Sequence, residues 1–121
     1  MQKKIFLLTN DNVFYLLLKS HIESTSSFVV CEKFKNHSNI NQQNGNEAAL
    51  IIIDGKMTDI SPISLTYSIR YESHITTPIW LFSEINTQTY EKKALEVGVN
   101  KILEKPFDPI EIARDIVLVV L

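Results

Sequence analysis

The chain has 121 residues, of which 45% are hydrophobic, and a formal net charge of −2 at pH 7. This length fits a single domain over residues 1–121, and the scattered basic residues give no field that would attract nucleic acid or an anionic membrane. Cys31 is the only cysteine, so an internal disulfide framework is excluded, and no apolar run approaches a membrane span; we therefore expect a cytoplasmic protein.

Five short apolar runs alternate with stretches that have helical character. The runs are continuous rather than alternating, which is typical of strands covered on both faces. The predicted strands are Lys4–Leu8, Phe28–Cys31, Leu50–Ile53, Pro78–Phe82 and Lys101–Leu103. This alternation predicts an α/β fold, a doubly wound five-stranded parallel sheet with helices on both faces.

Capping residues and apolar spacing mark the helices. Ser61 and Asp108 are each followed by proline, as expected for an N-cap and the first helical position, and Gly98 is expected to end the fourth helix, which starts at Thr87. The side chains expected on buried faces are Phe14, Leu17, Leu18 and His21 in the first helix, Ile63 and Tyr67 in the third, with Arg70 or Tyr71 as its continuation, Tyr90, Ala94 and Val97 in the fourth, and Ala113, Ile116, Val117 and Val120 in the last.

Residues Lys35–Asn46 carry the weakest pattern in the chain. They include five Asn and two Gln, and Ile40 is their only large apolar side chain. We predict a short, poorly anchored helix here and the highest mobility of the chain.

The residues that bear chemistry follow the strands, at the edge where open α/β sheets bind ligands. Asp54 ends the third strand, Ser83 the fourth, and Lys105 follows the fifth. A carboxylate can attack phosphorus, while a hydroxyl and an ammonium can hydrogen-bond and neutralise phosphoryl oxygens. Each residue also has an ordinary explanation, since Asp and Ser are common in turns and Lys is usually solvated.

With these residues in this order, the whole chain resembles the bacterial response regulator receiver domains, which have a CheY-like fold. The resemblance rests on the following residues: Asp54, Met57, Ser83 after Pro78–Phe82, Ala94–Gly98, and Lys105-Pro106-Phe107. It implies a flavodoxin-like three-layer sandwich with Asp54 as phosphoacceptor and with Ser83 and Lys105 on the phosphoryl group. It also implies a non-enzymatic role in two-component phosphorelay signalling, with a sensor kinase or downstream effector as protein partner.

The chain departs from the family pattern around the expected pocket. Thr9 and Asn10 replace two adjacent acidic residues, and Asp11 lies one place late. Glu84 replaces a small residue, and Ile102 replaces the aromatic switch residue. Thr58 stands where the family has proline.

Magnesium prefers anionic oxygen ligands, so we expect weak or absent Mg²⁺ binding. If the ion binds, its ligands would be Asp54, Asn10 and the backbone carbonyl of Lys56. Lys56 is also a candidate to fold over the pocket as a second cation, although a solvated lysine is the simpler expectation.

Three functions remain open from the sequence. The first is a receiver that takes phosphate on Asp54 inefficiently, and the second is a pseudo-receiver that binds partners without phosphorylation. The third, a flavodoxin-like FMN protein, is disfavoured because Thr9–Asn12 lacks glycine. A homodimer through the last helix and the fifth-strand surface is left open, as is an effector domain missing from the chain.

One backbone prediction follows from the turn after the fifth strand. The chain must turn at once while Lys105 points to Asp54, and an X-Pro bond adopts the cis form at little cost. We therefore predict a cis peptide bond between Lys105 and Pro106.

Overall fold

The computed structural model describes residues 2–56 and 60–121. Met57 and Thr58, which entered the family comparison, lie outside the described residues. The elements are β1 (Lys3–Leu8), α1 (Asn12–Thr25), β2 (Val29–Phe34), a 3-10 turn (His37–Asn39), α2 (Gln42–Glu47), β3 (Leu50–Asp54), α3 (Pro62–Tyr67), a π-helical segment (Ser68–Glu72), β4 (Ile79–Ser83), α4 (Gln88–Val97), β5 (Lys101–Glu104) and α5 (Pro109–Val120).

The strands form one parallel sheet in the order β2-β1-β3-β4-β5. All five residues of β3 are buried, as its unbroken apolar run predicts. The order reverses direction at β1, so the chain winds outward in both directions and its helices cover both faces. The predicted doubly wound sheet is confirmed.

Two hydrophobic clusters lie on opposite faces of this sheet. One packs α1 and α5 against alternate strand residues such as Ile52 and Phe82. The other packs α3, the π-helical segment and α4 against the intervening residues, among them Ile53 and Leu81. This alternation follows from the two-residue period of a strand, and it makes the sheet the middle of three layers.

The caps predicted from the sequence are present. The side chains of Ser61 and Asp108 accept hydrogen bonds from backbone N–H groups of the first helical turn. Gly98 adopts a left-handed conformation, with φ of 115°, at the end of α4. The Lys105–Pro106 bond is cis, as predicted.

Several predicted burial assignments are wrong. Leu17 and Tyr67 are 37% and 53% exposed, His21 is only partly buried, and Phe28 precedes β2 rather than opening it, with 59% exposure. The buried side chains of the third helical region are instead Leu65, Thr66 and Ile69. Ile63 does pack partly buried against this cluster, as predicted, but Tyr71 is 56% exposed like Tyr67, because the helix is fully buried through Leu65 and Ile69.

The prediction of a short helix in the Asn-rich segment is confirmed. Only six residues form α2, after a separate 3-10 turn, and Ile40 between them is buried. Asn41 and Asn44 form a reciprocal capping box that satisfies the start of α2. The segment thus owes its local order to side-chain caps and one apolar anchor.

Candidate functional site

Asp54 lies at the carboxyl end of the central strand β3 and is 1% exposed. Gly55 follows it, and its N–H donates to the carbonyl of Phe82 on the neighbouring strand at 2.7 Å. A Cβ atom at position 55 would lie 2.6 Å from that same carbonyl oxygen. Glycine is therefore required for the chain to turn closely past β4, which keeps Asp54 at the floor of the sheet edge.

Three donors from three parts of the chain hold the Asp54 carboxylate. Oδ1 accepts from the Lys105 ammonium and, at 3.0 Å, from the backbone N–H of Lys56. Oδ2 accepts from the Thr9 hydroxyl at 2.7 Å. Because Oδ1 carries two hydrogen bonds and Oδ2 only one, Oδ2 has the greater remaining capacity as an acceptor or nucleophile.

The environment keeps Asp54 ionised at neutral pH. Burial raises the pKa of Asp54, but hydrogen bonds from Lys105, Thr9 and the Lys56 N–H, together with the positive charge of Lys105, outweigh it. The pKa of Asp54 therefore lies below its ordinary value. A buried, ionised carboxylate at this edge has the charge state that a nucleophile needs.

Lys105 is held between the carboxylate and an aromatic ring. Its side chain pairs with Asp54 and is 12% exposed, and its Nζ lies 4.4 Å from the centroid of the Phe14 ring. Sequence reasoning placed Phe14 only on the buried face of α1. The sequence did contain a signal for this contact. The first helix starts at the sheet edge where the strands end, so a buried aromatic residue in its first turns lies near the residues that follow the other strands.

The β1–α1 loop separates its three polar residues. Thr9 is fully buried and points to Asp54, whereas Asn10 is exposed. Asp11 is the N-cap of α1, and its Oδ1 accepts from the N–H groups of Val13 at 2.9 Å and Phe14 at 3.2 Å. Of these residues, only Thr9 hydrogen-bonds Asp54, and the Asp11 carboxylate serves the helix.

These residues are a poor fit for a tightly held magnesium ion. In residues 2–56 and 60–121, no group of three or more His, Cys, Asp or Glu side chains is placed to hold a metal. Both Asp54 oxygens already accept hydrogen bonds, one from a cation, and Asp11 is engaged as a cap. A divalent ion would have to displace these donors without a second carboxylate from the loop.

Ser83 and Glu84 lie across from the loop at the end of β4. The Ser83 hydroxyl is buried and accepts from the N–H of Ile85 at 2.9 Å, so in this conformation it is directed to its own turn. Glu84 forms a 2.9 Å ion pair with Lys56, and both side chains are more than half exposed. Lys56 therefore leans across the mouth of the site toward Glu84 rather than down onto Asp54.

A cleft of about 580 Å³ opens above these residues. Its charged lining consists of Asp11, Lys56, Glu84 and Lys105, and its apolar lining of Val13, Phe14, Leu17, Pro106 and Phe107. The partly exposed Leu17 is thus explained as part of a cleft wall. The cleft provides a route from solvent to the neighbourhood of Lys105 and Asp54.

Ile102 and Tyr90 lie on the α4 side of β5. Ile102 is partly buried against the core cluster on that face, and Tyr90 on α4 packs against the same cluster. Burial raises the pKa of Tyr90. The aromatic side chain on this side of β5 thus comes from α4, on the helix face where the sequence placed Tyr90.

Comparisons with known proteins agree with this fold. Residues 5–117 match the family model described as the response regulator receiver domain. The chain is 27% identical over 108 residues to the transcriptional regulatory protein CrdR of Helicobacter pylori, covering 89% of this chain and 50% of that protein. The chain therefore spans about half the length of this curated relative.

Solved structures show the same architecture. A two-component response regulator from Clostridium difficile matches with a TM-score of 0.81 and 25% identity, covering 98% of this chain and 95% of that one. The orphan response regulator HP1043 of H. pylori matches with a TM-score of 0.78 and 14% identity, covering 98% and 97%. The family match over nearly the whole chain, on a CheY-like sheet with an acidic residue at its central strand end, shows that this chain belongs to the response regulator receiver domains of two-component signal transduction.

Proposed function

We propose that this receiver domain accepts a phosphoryl group on Asp54, slowly and with little dependence on Mg²⁺, and passes the signal on through protein contacts. The observation that carries the proposal is the buried, ionised Asp54 held by Lys105 beneath an open cleft. The family match supports a signalling rather than an enzymatic role and gives no support to FMN binding.

The proposed chemistry is a displacement at phosphorus. Oδ2 of Asp54 attacks the phosphoryl group of a donor, a phosphorus–oxygen bond forms, and the donor's bond to phosphorus breaks with its electron pair leaving on the donor. The product is an acyl phosphate. Lys105 neutralises charge on the phosphoryl oxygens, and Ser83 donates to one of them after its hydroxyl turns away from Ile85.

Two features of the site support a slow reaction. The Thr9 hydroxyl donates to Oδ2, so part of the electron density of the attacking atom is already engaged. The ion pair between Lys56 and Glu84 lies at the mouth of the cleft, where the Glu84 carboxylate opposes an approaching phosphate. In the product, the phosphoryl dianion would compete with Glu84 for Lys56.

Incubation with phosphoramidate, followed by intact mass measurement, tests this proposal. We expect a gain of one phosphoryl group over hours in the wild type and no gain in Asp54→Asn. Phosphorylation of another residue, or no modification of the wild type at high donor and Mg²⁺ concentrations, would overturn it.

The proposed weak magnesium dependence has its own test. In a titration followed by Trp80 fluorescence and by the amide signals around Asp54, we expect no saturation at sub-millimolar Mg²⁺. We expect Asn10→Asp to bind Mg²⁺ more tightly, because it restores an anionic ligand. In Asn10→Ala, which adds no charge, binding should stay weak. Sub-millimolar saturation in the wild type would contradict this part of the proposal.

A second candidate is the pseudo-receiver, which works without phosphorylation. It is favoured by the balance of charge in the unphosphorylated site, where Lys105 already neutralises Asp54 and Lys56 already pairs with Glu84. Failure of the phosphoramidate experiment, combined with partner binding that is unchanged in Asp54→Asn, would support this candidate.

Protein partners are part of either proposal. A sensor kinase or a downstream effector fits the family, and a cytoplasmic location fits the lone buried Cys31. A homodimer through α5 and β5 is supported by exposed apolar side chains on α5, where Ile110 is 55% and Leu118 78% exposed. In the described ranges 2–56 and 60–121, no helix has the length and apolar character to cross a bilayer.

Sedimentation velocity of the wild type and of Leu118→Asp distinguishes the dimer from a monomer. We expect a concentration-dependent dimer that the substitution removes. If the wild type stays monomeric at high protein concentration, the homodimer is ruled out, and only contacts with other proteins remain in the proposal.

A further inference from the structure

The Lys105 ammonium has an aromatic face on one side and a carboxylate on another. Its Nζ pairs with Asp54 Oδ1 and lies 4.4 Å from the Phe14 ring centroid. The negative face of an aromatic ring attracts a cation, and the attraction increases when water is largely excluded. Both conditions hold here, since the Lys105 side chain is 12% and Phe14 6% exposed.

Phe14 is itself fixed by other aromatic rings. Its ring meets Phe82 edge-on at 5.4 Å and Phe107 edge-on at 6.0 Å. The N-cap Asp11, which accepts from the Phe14 N–H, fixes the backbone of the same helical turn. The ring therefore presents a defined face to Lys105 rather than a mobile surface.

Positioning matters for this lysine because its four-carbon stem is flexible. In the described part of the chain, Asp54 is the one hydrogen-bond partner of its ammonium. An aliphatic side chain at position 14 would offer packing but no attraction for a cation. Without the ring, the ammonium would gain by turning toward water in the cleft.

We propose that Phe14 is a positioning residue that holds the Lys105 ammonium against Asp54 by a cation–π interaction. The effect on phosphoryl transfer rests on the function proposed above, whereas the effect on the Lys105 side chain does not.

The test compares Phe14→Leu with Phe14→Tyr, which keeps the ring face, and with Phe6→Leu as a matched control. Phe6 is also a buried phenylalanine, but it belongs to the cluster on the other face of the sheet, where its ring lies 4.6 Å from that of Phe34. Nuclear magnetic resonance of the Lys105 side chain gives the primary readout, because an ammonium over a ring shows an upfield ring-current shift of its neighbouring methylene protons. Relaxation of the ammonium nitrogen reports how tightly it is held.

We expect Phe14→Leu to abolish the upfield shift and to increase the mobility of the ammonium, while Phe14→Tyr and Phe6→Leu keep the shift and the mobility of the wild type. We expect Phe14→Leu to slow modification of Asp54 by phosphoramidate roughly three- to tenfold, the size of an interaction of this class. If Phe14→Leu does not fold, Phe14→Met supplies an apolar side chain of similar volume without a ring.

Lys105 signals that are the same in Phe14→Leu and the wild type would overturn the proposal, as would an equal disturbance in Phe6→Leu. If wild-type Asp54 is not modified at all, the proposed phosphoacceptor function fails, and the Lys105 signals still decide whether Phe14 positions the lysine.

Discussion

Asp54 has its properties because residues far apart in the chain meet at one sheet edge. Thr9 follows β1, Lys105 follows β5, and the Lys56 N–H belongs to the turn after β3. A carboxylate buried alone would be pushed toward its neutral form, whereas these donors reverse that effect. The contacts that keep Asp54 ionised therefore also make the stability of the folded state depend on its charge.

The first prediction is a pH dependence of stability caused by Asp54. Its folded-state pKa lies below the unfolded value of 3.8, so the charged form stabilises the fold above that pH. The contribution is lost as pH falls from 3.8 toward the folded-state pKa. We expect the unfolding free energy of the wild type, measured in urea, to fall more steeply than that of Asp54→Asn below about pH 4.

The two proteins share every other titrating group, so the difference between their stability curves isolates Asp54. A difference that stays constant from neutral pH to below about pH 3 would show that the folded and unfolded pKa values are equal.

At the scale of elements, Arg70 joins the π-helical segment to two turns on the opposite edge of the sheet. Its Nη1 donates to the carbonyls of Ile75 at 2.9 Å and Thr77 at 2.7 Å. Its Nε and Nη2 donate to the carbonyl of Gly98 at 3.2 and 2.9 Å, and Nη2 also to Asn100 Oδ1 at 2.9 Å. One planar guanidinium thus satisfies several turn carbonyls at once.

We predict that Arg70→Lys destabilises the fold by about 1–3 kcal/mol. One ammonium group cannot reach all the acceptors of the planar guanidinium, so buried carbonyls are left without a hydrogen-bond donor. Urea denaturation measures the loss. Arg114→Lys on the exposed side of α5 is the matched control and should stay within about 0.5 kcal/mol of the wild type. Equal stability of the two variants would show that the Arg70 contacts are dispensable.

A third prediction concerns residues Lys35–Asn46, which the short α2 and its Asn caps hold in place. With Ile40 as the only large buried anchor, this segment should open at low free energy. We expect its amides to exchange hydrogen for deuterium faster than those of α1. Protection equal to that of α1 would show that caps alone stabilise the segment.

At the scale of the whole molecule, we expect a signal to cross the domain without an aromatic swing on β5. Ile102 has no ring and packs against the core cluster shared with α4. An aliphatic side chain packed in such a cluster does not alternate between an exposed and a buried rotamer. We therefore expect Ile102 to stay fixed when the pocket is occupied.

Amide and methyl chemical shifts with and without beryllofluoride, a phosphoryl mimic, test this fourth prediction. The changes should concentrate around Asp54, Ser83 and the turn at Ile85, which contacts Ser83 directly. Large changes that reach Ile102 and α5 would contradict it.

The order of strands and helices was determined by the sequence, because apolar runs, N-caps and a terminating glycine act on neighbouring residues. The candidate residues Asp54, Ser83 and Lys105 could also be predicted, since parallel strands bring their carboxyl ends to one edge. The cis bond before Pro106 could be predicted as well, because the chain must turn directly after β5 while Lys105 points to Asp54.

The contacts within the site were decided by tertiary structure alone. Thr9 lies 45 residues from Asp54 in the chain and Lys105 lies 51, so nothing in the local pattern specifies which oxygen each one reaches. The ring of Phe14 beneath Lys105 and the pairing of Lys56 with Glu84 depend on how α1 and two loops pack around the sheet. Local rules fix which elements form, whereas the distances that set charge and reactivity appear only when those elements are packed together.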